Sequence, residues 1–375
     1  MTMTTVASLE IDLTLPFISG DLPGVGGSLR ASTDHFVVEE IPLYEPSGEG
    51  QHLYVNITKE GLTSRDVEMG LARVFGIANR DVGSAGMKDK HARTTQTFSL
   101  LVSHVDEAFV QAAPARIAER LPVTVNWARL HKNKLKRGHL LGNRFAIVIT
   151  DLAVPPLEAV ARADAIIVAL QERGLPNFYG PQRLGREGAN VQRGAELLRG
   201  AELLRNKQHV PDRWLRNLLL ASVQSYLCNR YLTRRILDGN YDTLLLGDIA
   251  KKVDTGGLFE VADVEVENPR YTAQEISFTA PMYGPDMWAA TGPSGSLEAE
   301  VLTASGFSIE QMAKAHLTGT RRMGRLRLTD LAVEANAEGL LVRFSLPKGA
   351  FATTLLRELM KNDDGTLASV PEEDE

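Results

Sequence analysis

The chain has 375 residues, 43% of them hydrophobic, and a formal net charge of -6, which is ordinary for a globular protein of about two to three domains. Its single cysteine, Cys228, excludes an intrachain disulfide, and no Cys/His spacing fits a structural zinc cluster. No apolar run approaches the about 18 residues of a membrane-spanning helix and no basic stretch precedes the apolar N-terminal residues, so we expect a cytoplasmic protein without a membrane partner.

Strand and helix patterns alternate along the first half of the chain. HFVVEEIP and HLYVNIT predict strands, since Leu53, Val55 and Ile57 recur with period two. The stretch TSRDVEMGLARVFGI predicts a helix, with a Thr/Ser cap before its apolar residues and Gly76 at its end. TFSLLVS and RFAIVIT predict two further short strands.

The helix predicted by PLEAVARADAIIVALQERG has Pro156 near its start and Gly174 past its end. Between about 185 and 325 the regular alternation of strand and helix patterns ends. This region begins with a tandem GAELLR, which we interpret as a helix lengthened by duplication. A long helical stretch follows, and then Gly/Pro-rich segments. We therefore expect an inserted domain at 185–325, between a first part of the main domain at 1–184 and its C-terminal part at 326–362. The acidic residues 363–375 predict a flexible tail.

The strand LLVRFSLP follows this insertion and leads into AFATTLLRELM, where Phe351, Leu355 and Leu359 repeat every fourth residue and predict a helix. The strand has no evident partner nearby in the sequence. We therefore expect it to pair with strands that precede the insertion, in one sheet.

Two basic clusters offset the acidic total charge. HKNKLKRGH at 131–139 holds four Lys/Arg and two His, and RRMGRLR at 321–327 holds four Arg. Phosphate binding needs a local basic face rather than a basic total charge. Each cluster taken alone is more often an ordinary solvated face.

The stretch SAGMKDKHARTTQ, residues 84–96, sets Asp89 among four potential cations. Cations around a carboxylate keep it ionised near neutral pH, so that it can act as a nucleophile or a base. The structural alternative is a turn aspartate that bonds its own backbone. Composition alone leaves both interpretations open.

AGMKDKHARTTQ resembles the signature of the TruD family of pseudouridine synthases, and four further segments match the family in order. They are DHFVVEEIPLYEPSGEGQHLYV, HKNKLKRGHLLGNRF, PNFYGPQRLG and LPKGAFATTLLREL. Two small departures concern packing: NFYG inverts the family's aromatic order, and Leu184 stands where an aromatic residue is common. The ordered set spans nearly the whole chain.

The resemblance implies an isomerase that converts uridine to pseudouridine in RNA, most typically uridine 13 of tRNA. It also implies an α+β fold, in which a pseudouridine synthase catalytic sheet domain carries an inserted α/β TRUD domain. The family needs no cofactor and no metal, its partner is the tRNA substrate, and no obligate protein partner is implied.

The resemblance places the catalytic carboxylate at Asp89 and the contacts to the target base at Phe36, Asn143, Phe145 and Phe351. Aromatic faces suit a base that has been flipped out of a helix, and an Asn amide suits the uracil imide edge. The structural alternatives are core phenylalanines and, for Asn143, a turn residue.

A basic residue close to Asp89 would hold its charge and orientation. Arg30 of GSLRAS stands where family members carry one, and Lys88 and Arg183 are its rivals. An arginine can pair bidentately, whereas a lysine cannot.

Two other classes of protein stay open at this point. One is a catalytically silent RNA-binding or RNA-folding protein on the same scaffold, which would not need Asp89. The other is a metal-dependent RNA-processing enzyme, disfavoured by the lack of carboxylates or histidines at ligand spacing.

Overall fold

The computed structural model describes residues 10–29, 32–103, 106–200 and 213–362. These residues form two compact units. The large-sheet unit falls within Pro23–Ile167, Leu328–Ala352 and Leu359–Glu375, and the small-sheet unit within Met1–Leu22, Val168–Arg327 and Thr353–Glu358. Among the described residues, no helix combines the length and apolar composition needed to cross a membrane.

The strands of the large-sheet unit are β1 (Gly26–Leu29), β2 (Phe36–Pro42), β3 (His52–Lys59), β4 (Val82–Ser84), β5 (Arg93–Leu101), β6 (Val123–His131), β7 (Leu140–Leu152), β14 (Ala332–Ala335) and β15 (Leu340–Pro347). Those of the small-sheet unit are β8 (Leu175–Pro176), β9 (Ile249–Lys252), β10 (Leu258–Glu260), β11 (Ile276–Met282), β12 (Thr320–Met323) and β13 (Arg325–Leu326).

The helices of the described residues are α1 (Ser64–Phe75), α2 (Glu107–Ala118), α3 (Pro156–Arg173), α4 (Pro181–Leu184), α5 (Ala189–Leu198), α6 (Arg213–Leu237), α7 (Val264–Thr272), α8 (Gly292–Ala304), α9 (Ile309–Lys314) and α10 (Ala352–Met360). Short 3-10 turns occur at Thr33–His35, Asn79–Asp81 and Arg186–Gly188. The mixture of sheets and helices confirms the α+β class expected from the sequence.

One mixed sheet dominates the large-sheet unit, with the order β14-β15-β7-β2-β5-β3-β6, while β1 pairs with β7 and β4 with β5. The β2–β5 pair is parallel and the other pairs are antiparallel. β15 pairs along its length with β7, from Leu340 opposite Ile149 to Pro347 opposite Gly142. The predicted pairing of this strand with a strand that precedes residue 185 is therefore confirmed. β14, which the sequence did not reveal, is a second and local partner.

One face of this sheet is the core face. On β3, Leu53, Val55 and Ile57 are fully buried, as their period-two spacing predicted. They pack with the buried face of α1 and with Phe98 of β5 in one hydrophobic cluster. The core face continues across β5, β2, β7 and β15, because residues directly opposite each other in the ladders project to the same side.

Helix α1 begins and ends as the sequence predicted. The Thr63 side chain accepts from the backbone N–H of Asp66, and the Asp66 carboxylate accepts in return from Thr63, which forms a capping box. Gly76 ends the helix in the left-handed conformation, with φ of 68°. The helix start is thus fixed five residues after the last residue of β3.

The small-sheet unit has a four-stranded sheet, β10-β9-β11-β12, and a two-stranded pair, β13-β8, among its described residues. The long helix predicted in this region is α6. The duplicated GAELLR does not form one continuous helix, since α5 ends at Leu198 and Gly200 has a φ of 69°. Most of the second copy lies outside the described residues, as does the predicted tail at 363–375.

The arginines of RRMGRLR do not form a phosphate-binding face, because most of them pack inside the small-sheet unit. Arg321 is buried and pairs with Glu298 at 2.7 Å. Arg322 lies 3.9 Å from the ring centroid of Tyr179, and Arg325 is buried against an aromatic ring. A guanidinium that stacks on a ring can enter a core that a fully hydrated cation would not.

Candidate active site

The loop that holds Asp89 connects β4 to β5. β4 is antiparallel to β5, with Ser84 opposite Phe98, and residues 85–92 form the connection. A Cβ on Gly86 would lie 3.0 Å from the Nζ atom of Lys88. Glycine at this position therefore lets the backbone pass close to the buried lysine.

Asp89 is half-buried, and the Oδ1 of its carboxylate accepts a hydrogen bond of 2.8 Å from the backbone N–H of His91. This is the turn geometry that the structural alternative predicted. Such a bond orients the carboxylate within the loop. The turn bond and a catalytic function are thus compatible rather than exclusive.

Side chains from α1 and β5 fix the loop. Ser64 Oγ accepts from the backbone N–H of Lys88 at 2.6 Å and donates to Gln96 Oε1 at 2.6 Å. The Gln96 amide then donates to the carbonyl of Gly86 at 3.1 Å. Ser64 and Gln96 are both buried, so these bonds hold the loop on the core face of the sheet.

Lys88 and Glu40 form a buried ion pair on that face, with Nζ and Oε2 3.4 Å apart. Burial raises the pKa of the Glu40 carboxyl above its ordinary value, against the opposing effect of the Lys88 ammonium. Lys88, one of the three basic residues proposed to support the site, is thus paired with an acidic residue beside the loop.

The sheet register brings three of the predicted base contacts onto one face. Phe36 lies opposite Ile147 and Glu40 lies opposite Asn143, both in the β2–β7 ladder. Phe145 lies opposite Val38 in the same ladder. Because directly opposed residues share a face, the Phe36, Asn143 and Phe145 side chains project to the side on which the Asp89 loop lies.

Phe145 and Asn143 differ in their surroundings. The Phe145 ring is buried and stacks on Phe344, with ring centroids 4.9 Å apart and planes 17° apart. Asn143 is half-buried, and its Oδ1 is buried without a hydrogen-bond partner among the described residues. A buried amide oxygen with no partner is a group to which a ligand donor can bond.

Phe351 lies between β15 and α10, outside the helix in which its spacing had placed it. Gly349 has a φ of 77°, and α10 begins only at Ala352. Just before this segment turns, Lys348 donates from Nζ to the carbonyl of Gly138 at 2.9 Å. The N–H of Gly138 in turn donates to the carbonyl of Ala85 at 2.8 Å. These bonds join the segment before Phe351 to the start of the Asp89 loop.

The other two candidate supporting residues are Arg30 and Arg183. Arg30 lies outside the described residues. Arg183 belongs to α4 of the small-sheet unit, where it is half-buried and its carbonyl accepts from Ser222 Oγ at 2.7 Å.

The basic segment 131–139 lies next to the Asp89 loop, and several of its cations already have partners. Lys132 pairs with Glu49 at 2.7 Å, Lys134 donates to the carbonyl of Arg80, and Arg137 pairs with Glu68 at 3.1 Å. Lys136 is exposed. Of these cations, Lys132, Lys136 and Arg137 face solvent and are open to an anionic partner.

The sequence patterns did not lead to two further candidate residues, Glu40 and Lys59, although the alternation along their strands marks both. Glu40 continues the buried alternation of Phe36 and Val38 on β2. Lys59 continues the buried alternation that ends in Ile57 on β3. A charged residue at a core-facing position of a strand is costly unless it is paired or hydrogen-bonded, so it points to a specific local purpose.

Within the described parts of the chain, no three His, Cys, Asp or Glu residues lie close enough together to hold a metal ion.

The sequence matches the model of the family described as tRNA pseudouridine synthase D (TruD), over residues 15–209 and 206–359. A tRNA pseudouridine synthase D from Anaeromyxobacter dehalogenans is 42% identical over 96% of this chain and 99% of its own length. One from Thermus thermophilus is 42% identical over 92% of both chains.

A crystal structure of a candidate tRNA pseudouridine synthase D from Methanosarcina mazei superposes with a TM-score of 0.76. It covers 96% of this chain and 98% of its own, at 24% identity, and so shows that the two proteins share a fold. Matches of this length to the family model and to relatives establish that the chain belongs to the TruD family of tRNA pseudouridine synthases.

Proposed function

We propose that the protein isomerises a uridine of tRNA, uridine 13, to pseudouridine, with Asp89 as its catalytic carboxylate. The observation that carries this proposal is the joining of the Asp89 loop to the core face of the large sheet. Lys88, next to Asp89 in the chain, pairs with Glu40, and Glu40 lies opposite Asn143. The half-buried Asp89 and the face proposed to bind the base thus belong to one unit.

The isomerisation needs little besides a carboxylate and a pocket. The N1–C1′ bond of the uridine breaks, the uracil rotates, and C5 forms a bond to C1′ and loses its proton while N1 gains one. Asp89 starts this sequence either as a nucleophile at the sugar or as a base that removes a ribose proton. Both routes need the ionised carboxylate, and both return it unchanged.

The uracil must leave the RNA stack to reach Asp89, so the enzyme has to hold an extruded base while it rotates. Phe36, Phe145 and Phe351 supply aromatic surface, and stacking on such a ring is worth about 1–3 kcal/mol per base. The Oδ1 of Asn143, which has no hydrogen-bond partner in the part of the chain that the structure describes, can accept from the uracil imide, and its amide can donate to a uracil carbonyl.

The basic segment 131–139 supplies the contacts to the phosphate backbone in this proposal. Exposed cations beside the loop attract RNA without selecting a sequence. We further propose that Arg30 supports Asp89, that residues 185–325 form the inserted TRUD domain, and that the protein works on tRNA in the cytoplasm. The middle segment of the small-sheet unit, Val168–Arg327, encloses that range: it ends two residues after the proposed end and begins 17 residues before the proposed start.

Carbodiimide mapping of pseudouridine in tRNA from cells that lack this protein tests the proposed reaction and its position. We expect the signal at position 13 to disappear and the signals at other positions to persist. A gene for the wild-type chain restores the signal, and a gene for Asp89→Asn does not, because the amide can act neither as a nucleophile nor as a base.

Asp81→Asn is the matched control, since it removes a half-exposed carboxylate eight residues away in the same unit. The purified Asp89→Asn protein should bind tRNA within a few-fold of wild type. Turnover by this variant, in a preparation free of wild-type enzyme, would disprove the assignment of Asp89 as the catalytic residue. Loss of the pseudouridine signal at another position of the tRNA would disprove the assignment of uridine 13 as the target.

A further inference from the structure

Lys59 is the last residue of β3, and it is only 1% exposed. Its side chain follows Val55 and Ile57 on the core face of the sheet, where an apolar residue would be expected. Moving an ammonium group out of water costs free energy unless its donors are satisfied. Packing of the core alone therefore does not explain a lysine at this position.

All three donors of an ammonium find backbone carbonyls at this position. Nζ of Lys59 lies 2.8 Å from the carbonyl oxygen of Leu62, 3.1 Å from that of Lys88 and 3.0 Å from that of Asp89. The first bond closes the turn after β3. The other two join this turn to the Asp89 loop, and one of them ends on the peptide carbonyl of Asp89 itself.

Other bonds hold the loop at other backbone groups. Ser64 binds the N–H of Lys88, Gln96 binds the carbonyl of Gly86, and the N–H of Gly61 donates to the carbonyl of Lys90 at 2.9 Å. The loop as a whole is thus fixed by several groups. Lys59 acts on the two peptide units from which the Asp89 side chain projects.

We propose that Lys59 is a positioning residue that orients the Asp89 carboxylate through these carbonyls. The inference rests on the catalytic function proposed for Asp89. Without the ammonium, two adjacent carbonyls lose a donor and the peptide planes at residues 88 and 89 can rotate. A displacement of about 1 Å at a reacting group can reduce a rate about 100-fold.

The test is Lys59→Met, which keeps an unbranched side chain and removes all three donors. Single-turnover rates and tRNA dissociation constants are measured at temperatures well below the melting temperature of each variant. We expect the rate at saturating tRNA to fall by about 10- to 100-fold, with KM and the dissociation constant within a few-fold of wild type, since Lys59 is buried and meets no RNA.

Val55→Ala is the matched control because Val55 lies on the same strand and the same face and is fully buried. It should lower the melting temperature and leave the rate of the folded protein unchanged. If Lys59 only stabilises the fold, Lys59→Met will also melt at a lower temperature and keep the wild-type rate. A wild-type rate for both folded variants would therefore overturn the proposal.

If Lys59→Met does not fold, Lys59→Gln is tested in its place, because its amide keeps two donors on a shorter side chain. The same loss of rate at unchanged KM is expected, and a wild-type rate would again overturn the inference. The outcome is separable from the proposed function: an active Asp89→Asn protein refutes the catalytic assignment, whereas an inactive Asp89→Asn with a fully active Lys59→Met refutes only the inference on Lys59.

Discussion

The Nζ atom of Lys88 lies 3.4 Å from Oε2 of Glu40, and neither side chain is more than 3% exposed. A buried pair of this kind contributes little net stability, because the cost of removing both charges from water offsets their attraction. Its effect is on geometry, since it joins the residue before Asp89 to the strand position opposite Asn143.

Replacing one partner of this pair should lower the stability of the protein far more than replacing both. Lys88→Met leaves the Glu40 carboxylate buried beside an apolar group and should destabilise the protein by about 3–5 kcal/mol. The double variant Lys88→Met/Glu40→Leu should recover most of that loss. Urea denaturation of the two variants and of Glu40→Leu measures the coupling.

Lys132→Met is the control for this experiment. Lys132 and Glu49 are both more than 60% exposed, so the loss of their pair should cost less than about 1 kcal/mol. If the double variant proves as unstable as Lys88→Met, the cost lies in the packing of residue 88 and not in an unpaired charge.

The strands and helices of the large-sheet unit could be predicted where the pattern is local. The alternation of Leu53, Val55 and Ile57 is visible in the sequence, and so are the cap and the stop of α1. The start of β5 was not visible. β5 begins at Arg93, four residues before the predicted run, because Arg93 pairs with Val37 of a strand more than fifty residues earlier.

The sequence predicted the candidate-site residues that belong to a family motif. It did not predict the residues that hold the motif in place. The resemblance gave Asp89 as the candidate catalytic residue, and the sheet register places Asn143 and Phe145 on the same side as its loop. Glu40 and Lys59 escaped because a charged residue on a strand is ordinarily assigned to the solvent side. Only the register and the burial show that both side chains lie in the core.

The basic segment should determine the salt dependence of tRNA binding. Replacing Lys132, Lys136 and Arg137 with Gln should weaken binding and flatten the plot of log affinity against log salt concentration. The slope should change by about 0.7–0.9 for each phosphate group that is no longer bound. Lys134 is left unchanged in this variant because its Nζ bonds the carbonyl of Arg80, so its loss would also disturb the fold.

Two further variants make the salt experiment specific. Lys314→Gln removes an exposed lysine of α9, outside the basic segment, and should leave the slope unchanged. Glu49→Gln frees Lys132 from its ion pair and should strengthen binding at low salt. An unaltered slope in the triple variant would mean that the segment is an ordinary solvated face.

Phe145 tests whether the aromatic face holds the extruded base or only fills the core. Phe145→Ala removes a buried ring that stacks on Phe344, and a truncation of this kind costs about 3–5 kcal/mol of stability. If the ring also stacks on uracil, the single-turnover rate of the folded variant should fall by about 5- to 150-fold. The affinity for whole tRNA should barely change, because phosphate contacts dominate it.

Phe344→Ala and Phe145→Tyr separate these two functions of the ring. Phe344 is the stacking partner of Phe145 and is also buried, so its truncation should lower the melting temperature by a similar amount with a smaller loss of rate. Phe145→Tyr keeps the aromatic face and should retain part of the activity, although a buried hydroxyl without a partner costs about 1–3 kcal/mol. Lower melting temperatures for both Phe145 variants, together with wild-type rates below the melt, would assign Phe145 to the core alone.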